Sequence, residues 1–129
     1  MDINSVYLWV LPMFHAVGWT YPWAATFSVS AQITLRAVSF PLIWNHLCNS
    51  SVTHYCGAPT VQVNSVSLLS SRARPDAGFL LQIGLVNFSG AKKLPRPVTA
   101  VVAGSAPTAH LISSLEKIGI TPVHVYGLT

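Results

Sequence analysis

The side chains able to do chemistry are few, and they gather in short stretches that follow apolar runs. Pro12–His15 (PMFH) offers an imidazole, a group that can orient an oxygen or carry a proton near neutral pH. Gly57–Thr60 (GAPT), Ala103–Pro107 (AGSAP) and Tyr126–Thr129 (YGLT) offer hydroxyls, a phenol and glycines. His46, His54, His110 and His124 are too irregularly spaced for a zinc site. Cys48 and Cys56 fit no zinc pattern either. Two thiols without a paired framework suit a reducing compartment, where each serves as a small apolar core residue.

His15 poses the sharpest question, because Leu11–Trp19 (LPMFHAVGW) holds no other titratable group and no charge separates Asp2 from Arg36. A membrane span needs about 20 apolar residues. This stretch is long enough, but Pro12, Pro22 and His15 would break the helix and bury an imidazole in hydrocarbon, which argues against a span. A histidine after a strand is most often a satisfied core or edge residue. The alternative is an active-site position, and the surrounding elements decide between them.

Those elements belong to a chain of 129 residues that is 51% hydrophobic and 8% charged. Disorder is excluded, since a disordered chain needs low hydrophobicity and much charge. A charged fraction of about a quarter is usual for a domain covering its own surface. Lipid or further protein is therefore expected to cover part of this one. The net charge is +4, and the basic residues lie together in two places, Arg72 with Arg74 and Lys92 with Lys93 and Arg96. Neither group is interleaved with aromatics, so solvated loops are expected and no nucleic-acid partner. No basic n-region or cleavage site marks a secretory signal. An intracellular location is expected, cytoplasmic or peroxisomal.

Apolar runs and turn signals predict the order of elements. Ser5–Leu11 reads as a strand, Trp19–Ala31 as a helix with Pro22 in its first turn, and Gln32–Arg36 as a second strand. Pro41–Asn49 reads as a helix and Val52–Cys56 as a third strand. Val98–Ala103 follows as a fourth. Thr108 is placed to cap a helix running to Ile118, stopped by Gly119 in a left-handed conformation. Pro122–Val125 leads into a fifth strand and its exit at Tyr126–Thr129. Trp19 and Trp23, at helical spacing, read as core. The sum is an α/β fold, a mostly parallel sheet with crossover helices. In such sheets ligands bind beyond the carboxyl ends of the strands. PMFH, GAPT, AGSAP and YGLT all follow strands, so they gather on one edge. On this reading Leu11–Trp19 is a buried strand delivering His15 to the ligand edge.

In this order and rough spacing, LPMFHAVGWTYPW, VTHYCGAPT, AGSAPT and HVYGLT resemble the AMP-forming acyl-CoA synthetases of the adenylate-forming superfamily. The GW after His15 and the LPRPV before the fourth strand look most like the medium-chain acyl-CoA ligase branch. The resemblance implies part of an N-terminal domain that binds ATP and a carboxylic acid. The carboxylate attacks the α-phosphate, pyrophosphate leaves, and the coenzyme A thiol attacks the acyl-adenylate. ATP, Mg²⁺ and coenzyme A are the implied cofactors and substrates. Tyr126 matches the tyrosine against the adenine ring. Gly104, Ser105, Ala106 and Pro107 match the adenine-pocket loop, where a glycine lets backbone approach a flat ring. Gly127 sits in the YGLT motif, and Thr129 matches the threonine that binds nucleotide phosphate. His15 matches the histidine beside the acyl carboxylate. Trp19 would line the acyl or pantetheine side, and Gly57 lies near the acyl tunnel.

Three departures from that pattern shape the expectation. The Ser/Thr/Gly phosphate loop expected upstream of Ser5, and the Mg²⁺-binding glutamate, hinge and C-terminal domain expected after Thr129, lie outside this sequence. The polypeptide alone is therefore expected not to adenylate. Ala16 and Val17 stand where the family commonly has a small polar pair, which implies an altered or degenerate substrate pocket. Val63–Gln82 (VNSVSLLSSRARPDAGFLLQ) interrupts the family pattern and has no clear period. Its ends can be encoded as the borders of a spliceosomal intron, so a retained intron is expected there. The other readings of the whole chain are an adenylation domain that makes no thioester to coenzyme A, a non-catalytic gene remnant, and a membrane protein.

Overall fold

The computed structural model describes residues 1–57, 92–104 and 106–126. Five strands, β1 (Val6–Trp9), β2 (Ala31–Thr34), β3 (His54–Gly57), β4 (Val98–Val102) and β5 (Ile120–His124), form one sheet in the order β2-β1-β3-β4-β5. Every pairing is parallel. The helices are α1 (Ala16–Phe27), α2 (Phe40–Asn49) and α3 (Ala109–Lys117). The suspected insertion, 63–82, lies outside the described residues.

Side-chain alternation along the strands sorts the core into two layers. Leu8, Val10, Tyr55, Val98, Ala100 and Ile120 face one way, onto Ile43, Trp44 and Leu47 of α2 and Leu111 and Leu115 of α3. Tyr7, Trp9 and Cys56 face the other way, onto Val17 and Tyr21 of α1. A sheet covered on both faces accounts for strands that read as continuous apolar runs. Cys56 is buried and Cys48 half-buried, and both thiols are free.

The helix ends follow local chemistry. The Thr108 hydroxyl accepts from the Leu111 N–H at 3.2 Å and caps α3. Gly119 has φ +91°, so the residue after the α3 cap takes the left-handed conformation that only glycine adopts without cost. Helix α2 carries its proline in the first turn, where the missing N–H is harmless.

Four expectations need correction. The first helix starts at Ala16 rather than Trp19, and Pro22 lies in its interior. Its buried stripe is Val17, Tyr21 and Ala25, spaced by four. That phase points Trp19 and Trp23 away from the sheet, so neither is core: they are 74% and 65% exposed. The stretch Leu11–Trp19 is not a buried strand, because β1 ends at Trp9 and the stretch makes a turn and the first turns of α1. Finally, β5 begins at Ile120 and runs through Pro122. An edge strand tolerates a proline because the missing N–H faces away from its neighbour.

Candidate active site

The strand order reverses between β1 and β3: the chain leaves β1 for β2 on one side, then returns past β1 to build β3, β4 and β5 on the other. Crevices at such a reversal, beyond the carboxyl ends of the strands, are where open α/β sheets bind ligands. His15 follows β1 and Gly57 ends β3, so the two flank this point. The β4 exit brings Gly104, Ala106 and Pro107 to the same edge. The β5 exit brings Tyr126, held by the Val125 N–H donating to the Val102 carbonyl at 3.0 Å. From β1 to β5 is three strand spacings, about 14 Å. A ligand touching both His15 and Tyr126 must therefore be elongated. Ser105, Gly127 and Thr129 lie outside the described residues.

His15 is the N-cap residue of α1, in extended conformation, and its ring makes no capping hydrogen bond. Its N–H donates to the Pro12 carbonyl at 3.2 Å, and its carbonyl accepts from the Gly18 N–H at 2.8 Å. The imidazole is exposed and lies 4.6 Å from the Phe14 ring, tilted by 35°. The backbone is thus held from both sides while the ring faces solvent. The bland reading of a satisfied core histidine does not apply.

Gly18 is the part of this arrangement that sequence reasoning missed. A Cβ at Gly18 would stand 2.8 Å from the Met13 Cα and still closer to the Met13 carbonyl carbon and oxygen. The turn before His15 can fold against α1 only because residue 18 has no side chain. The glycine itself, four residues before Pro22, is plain in the sequence, but nothing there announces its contact with Met13. Gly104 has φ +95°, so the β4 exit also depends on a glycine. Tyr126 is 94% exposed, which leaves both faces of its ring free to stack.

Beneath the edge, α1 is fixed by aromatic packing. Tyr21 stacks on Tyr7 at 4.5 Å, and Tyr7 meets Trp9 edge to face at 4.9 Å. The Trp9 indole N–H donates to the side-chain Oε1 of Gln32 at 2.8 Å, tying β1 to β2. Burial pushes the Cys56 thiol up, opposed by hydrogen bonds with Tyr7 and Tyr21. Burial, together with the neighbouring Cys56, pushes both tyrosine hydroxyls up as well. These groups stay neutral at physiological pH and serve as packing.

The edge carries no described carboxylate. Asp2 precedes β1 and Glu116 ends α3, and the parallel topology puts both at the opposite, amino edge. The three described helices start at the carboxyl edge, where their N-termini favour negative charge. The described residues hold no group of three metal-binding side chains, so they do not fit Mg²⁺ and no step is assigned to it. No helix among them is long and apolar enough to cross a membrane.

Comparison with known proteins matches this chain, over residues 1–129, to the model of the AMP-binding enzymes. The chain belongs to that family. It is similar to 4-hydroxybutyrate–CoA ligase 2 of Metallosphaera sedula, at 38% identity over all 129 residues and 20% of that protein. It is also similar to the probable peroxisomal acyl-activating enzyme 5 of Arabidopsis thaliana, at 36% identity over 98% of this chain and 19% of that protein. Its fold matches O-succinylbenzoate coenzyme A synthetase of Bacillus subtilis, solved with ATP and magnesium, with a TM-score of 0.72. That match has 13% identity and covers 99% of this chain and 22% of the other. The chain thus spans about a fifth of the length of these relatives.

Proposed function

We propose that this chain is the ligand-edge portion of an ATP-dependent carboxylic acid–CoA ligase. The observation that carries the reading is the order of side chains along one sheet edge. His15 stands at β1, Gly57 at β3, the Gly104 turn at β4 and Tyr126 at β5. An acyl-adenylate is elongated in the same sense, with the acyl carboxyl at one end and adenine at the other. His15 orients a carboxylate oxygen through its exposed imidazole. Tyr126 stacks on adenine, and the Gly104 turn lets main chain lie against the ring. Thr129 contributes its hydroxyl to phosphate, and Trp19 and Gly57 border the acyl side. The carboxylate oxygen attacks the α-phosphorus and pyrophosphate leaves. The thiol of coenzyme A then attacks the acyl carbonyl and AMP leaves.

The substrates are a small carboxylic acid, ATP and coenzyme A. The relatives named for CoA ligation and acyl activation support this reading, as does the absence of any described carboxylate that would repel phosphate at the edge. The triphosphate cradle and the metal carboxylates would come from the remainder of a longer enzyme. A cytoplasmic or peroxisomal location fits the peroxisomal relative.

A chimera tests the proposal. This chain replaces the matching fifth of the Metallosphaera ligase, and acid-dependent ATP–pyrophosphate exchange is measured. Exchange is expected, with His15→Ala and Tyr126→Ala each reducing it at least tenfold, in line with the loss of an oriented reacting group. The isolated chain is expected to show none above background. An active chimera indifferent to both substitutions would refute the assignment.

A further inference from the structure

The sheet has one seam where strand pairing stops short of the carboxyl edge. Between β3 and β4 the register runs to the end, through Cys56 with Val101 and Gly57 with Val102. Between β1 and β3 it covers only Tyr7 with His54 and Leu8 with Tyr55. The ladder between these two strands therefore ends before Cys56, and side chains take over the spacing of their exits. Tyr7, Trp9, Val17 and Cys56 form a buried cluster there, with Tyr21 packed against it. Tyr21 of α1 stacks on Tyr7 of β1 at 4.5 Å, with the rings inclined by 28°. The Cys56 thiol of β3 is hydrogen-bonded with both phenol hydroxyls. One thiol thus joins β3 to β1 and to α1, beneath the crevice at the strand-order reversal.

Helix α1 carries that spacing to the ligand edge, because His15 is its N-cap. The Met13 main chain, seated on Gly18, ties the turn before His15 to the same first turns. Pro22 has no N–H to donate to the Gly18 carbonyl, so the rear of the helix is coupled less firmly to its front. The front needs its own anchor. Val17 packs through methyl groups, which set no direction. Tyr21 supplies both a ring stack and a hydrogen bond, which fix rotation as well as depth. We propose that the Tyr21–Cys56 contact is the positioning element of the acyl end: through α1, it sets where His15 stands relative to the β3 exit. The inference rests on the ligase reading for what His15 does there. Cys56 is buried and acts only through the helix, so it is a positioning residue.

Two readouts test it, one of them free of activity. In this chain, Cys56→Ala and Tyr21→Phe are each expected to shift the His15 ring resonances. Cys56→Ser keeps a hydrogen-bonding group for the phenols and is expected to shift them least. Cys48→Ala removes a thiol packed on the other face of the sheet and is expected to leave them in place. In the chimera, Cys56→Ala and Tyr21→Phe are each expected to lower kcat/KM for the acid about tenfold, as for a reacting group misplaced by well under about 1 Å. The KM for ATP is expected to stay unchanged. The double variant is expected to be no worse than Cys56→Ala alone, since both substitutions remove one contact. Far-UV circular dichroism verifies the fold. Should Cys56→Ala fail that check, Tyr21→Phe, which keeps the ring stack, carries the same expectations. His15 resonances that stay in place, or that move as much in Cys48→Ala, overturn the proposal. So do losses that multiply in the double variant, or a KM for ATP that moves as far as the acid constant. A wild-type chimera without exchange refutes the ligase reading instead, and the resonances still decide the positioning.

Discussion

Replacing Gly18 with alanine separates the packing argument from ordinary helix propensity, because the two give opposite signs. In a helix with open surroundings, Gly→Ala stabilises by about 1 kcal/mol. Here the new methyl group would meet Met13 main-chain atoms, with the Met13 Cα at 2.8 Å and its carbonyl nearer still. Main chain cannot step aside as a flexible side chain can. The turn Pro12–His15 has to move, at an overpacking cost of roughly 2–3 kcal/mol. The net is a loss of about 1–2 kcal/mol, or a fall in Tm of about 5 °C for a chain of this size. Thermal melts of wild type and Gly18→Ala measure it, with Ala24→Gly as an exposed control in the same helix, expected to lose about 1 kcal/mol. A second readout follows the mechanism rather than the stability. The His15 ring resonances should shift in Gly18→Ala, since its stacking on Phe14 depends on the turn, and should not shift in Ala24→Gly. A Gly18→Ala protein that melts higher than wild type would refute the close-approach account.

Further outcomes follow from single residues. Val29 is β-branched, 71% exposed and has φ 52°, so Val29→Gly should raise stability by about 1 kcal/mol in urea denaturation. The Tyr55 hydroxyl is buried with no hydrogen-bond partner among the described residues, so Tyr55→Phe should leave the urea midpoint unchanged or raise it, where loss of a made hydrogen bond would lower it. Thr108→Ala should cost about 1 kcal/mol through the lost α3 cap. His54 is held below its ordinary value of 6.5, first by burial and then by the chain's N-terminal charge. Its contribution is therefore fully present above about pH 6.5 and is lost as pH falls through the lowered folded value. The wild type should then lose more stability than His54→Gln between neutral and mildly acid pH.

The centre of the sheet was legible because β1, β3 and β4 lie in mostly apolar runs that end at Pro12, Gly57 and Gly104, whereas the edge strands β2 and β5 are mostly exposed and carry a weaker pattern. The carboxyl edge was legible for the same reason: polar exits after parallel strands have only one place to go. His15 and Tyr126 were placed at that edge by this argument alone, and the structure has both following their strands. Helix α1 was misread because its sequence has no polar face to set a phase. Tryptophans at spacing four look like core, and only the contacts of Tyr21 with Tyr7 reveal which stripe is inside. Pro22 looked like a helix start, since a first-turn proline is the commoner case. The Gly18 contact was invisible because it joins residues five apart through main chain, with no side-chain pattern to announce it.

Two of the glycines at the carboxyl edge, Gly18 and Gly104, serve different ends, and the difference bears on how the edge works. Gly18 is needed for what approaches it, the Met13 main chain, and so fixes where the His15 backbone sits. Gly104 is needed for its own conformation, φ +95°, and so fixes the direction in which the β4 exit leaves the sheet. A side chain at Gly18 acts on the edge through the Met13 main chain, whereas one at Gly104 stands in the turn proposed to lie against the adenine ring. The substitutions should therefore fail differently. Gly104→Ala carries a left-handed cost of about 1–2 kcal/mol, confined to one turn. It leaves β1 and α1 undisturbed, so it should weaken contacts at the Tyr126 end and spare those at His15. Gly18→Ala should do the reverse. In the active chimera, the first should raise the KM for ATP with little change in the KM for acid, and the second should raise the KM for acid. If both substitutions moved the same constant, His15 and Tyr126 would not serve opposite ends of one elongated ligand.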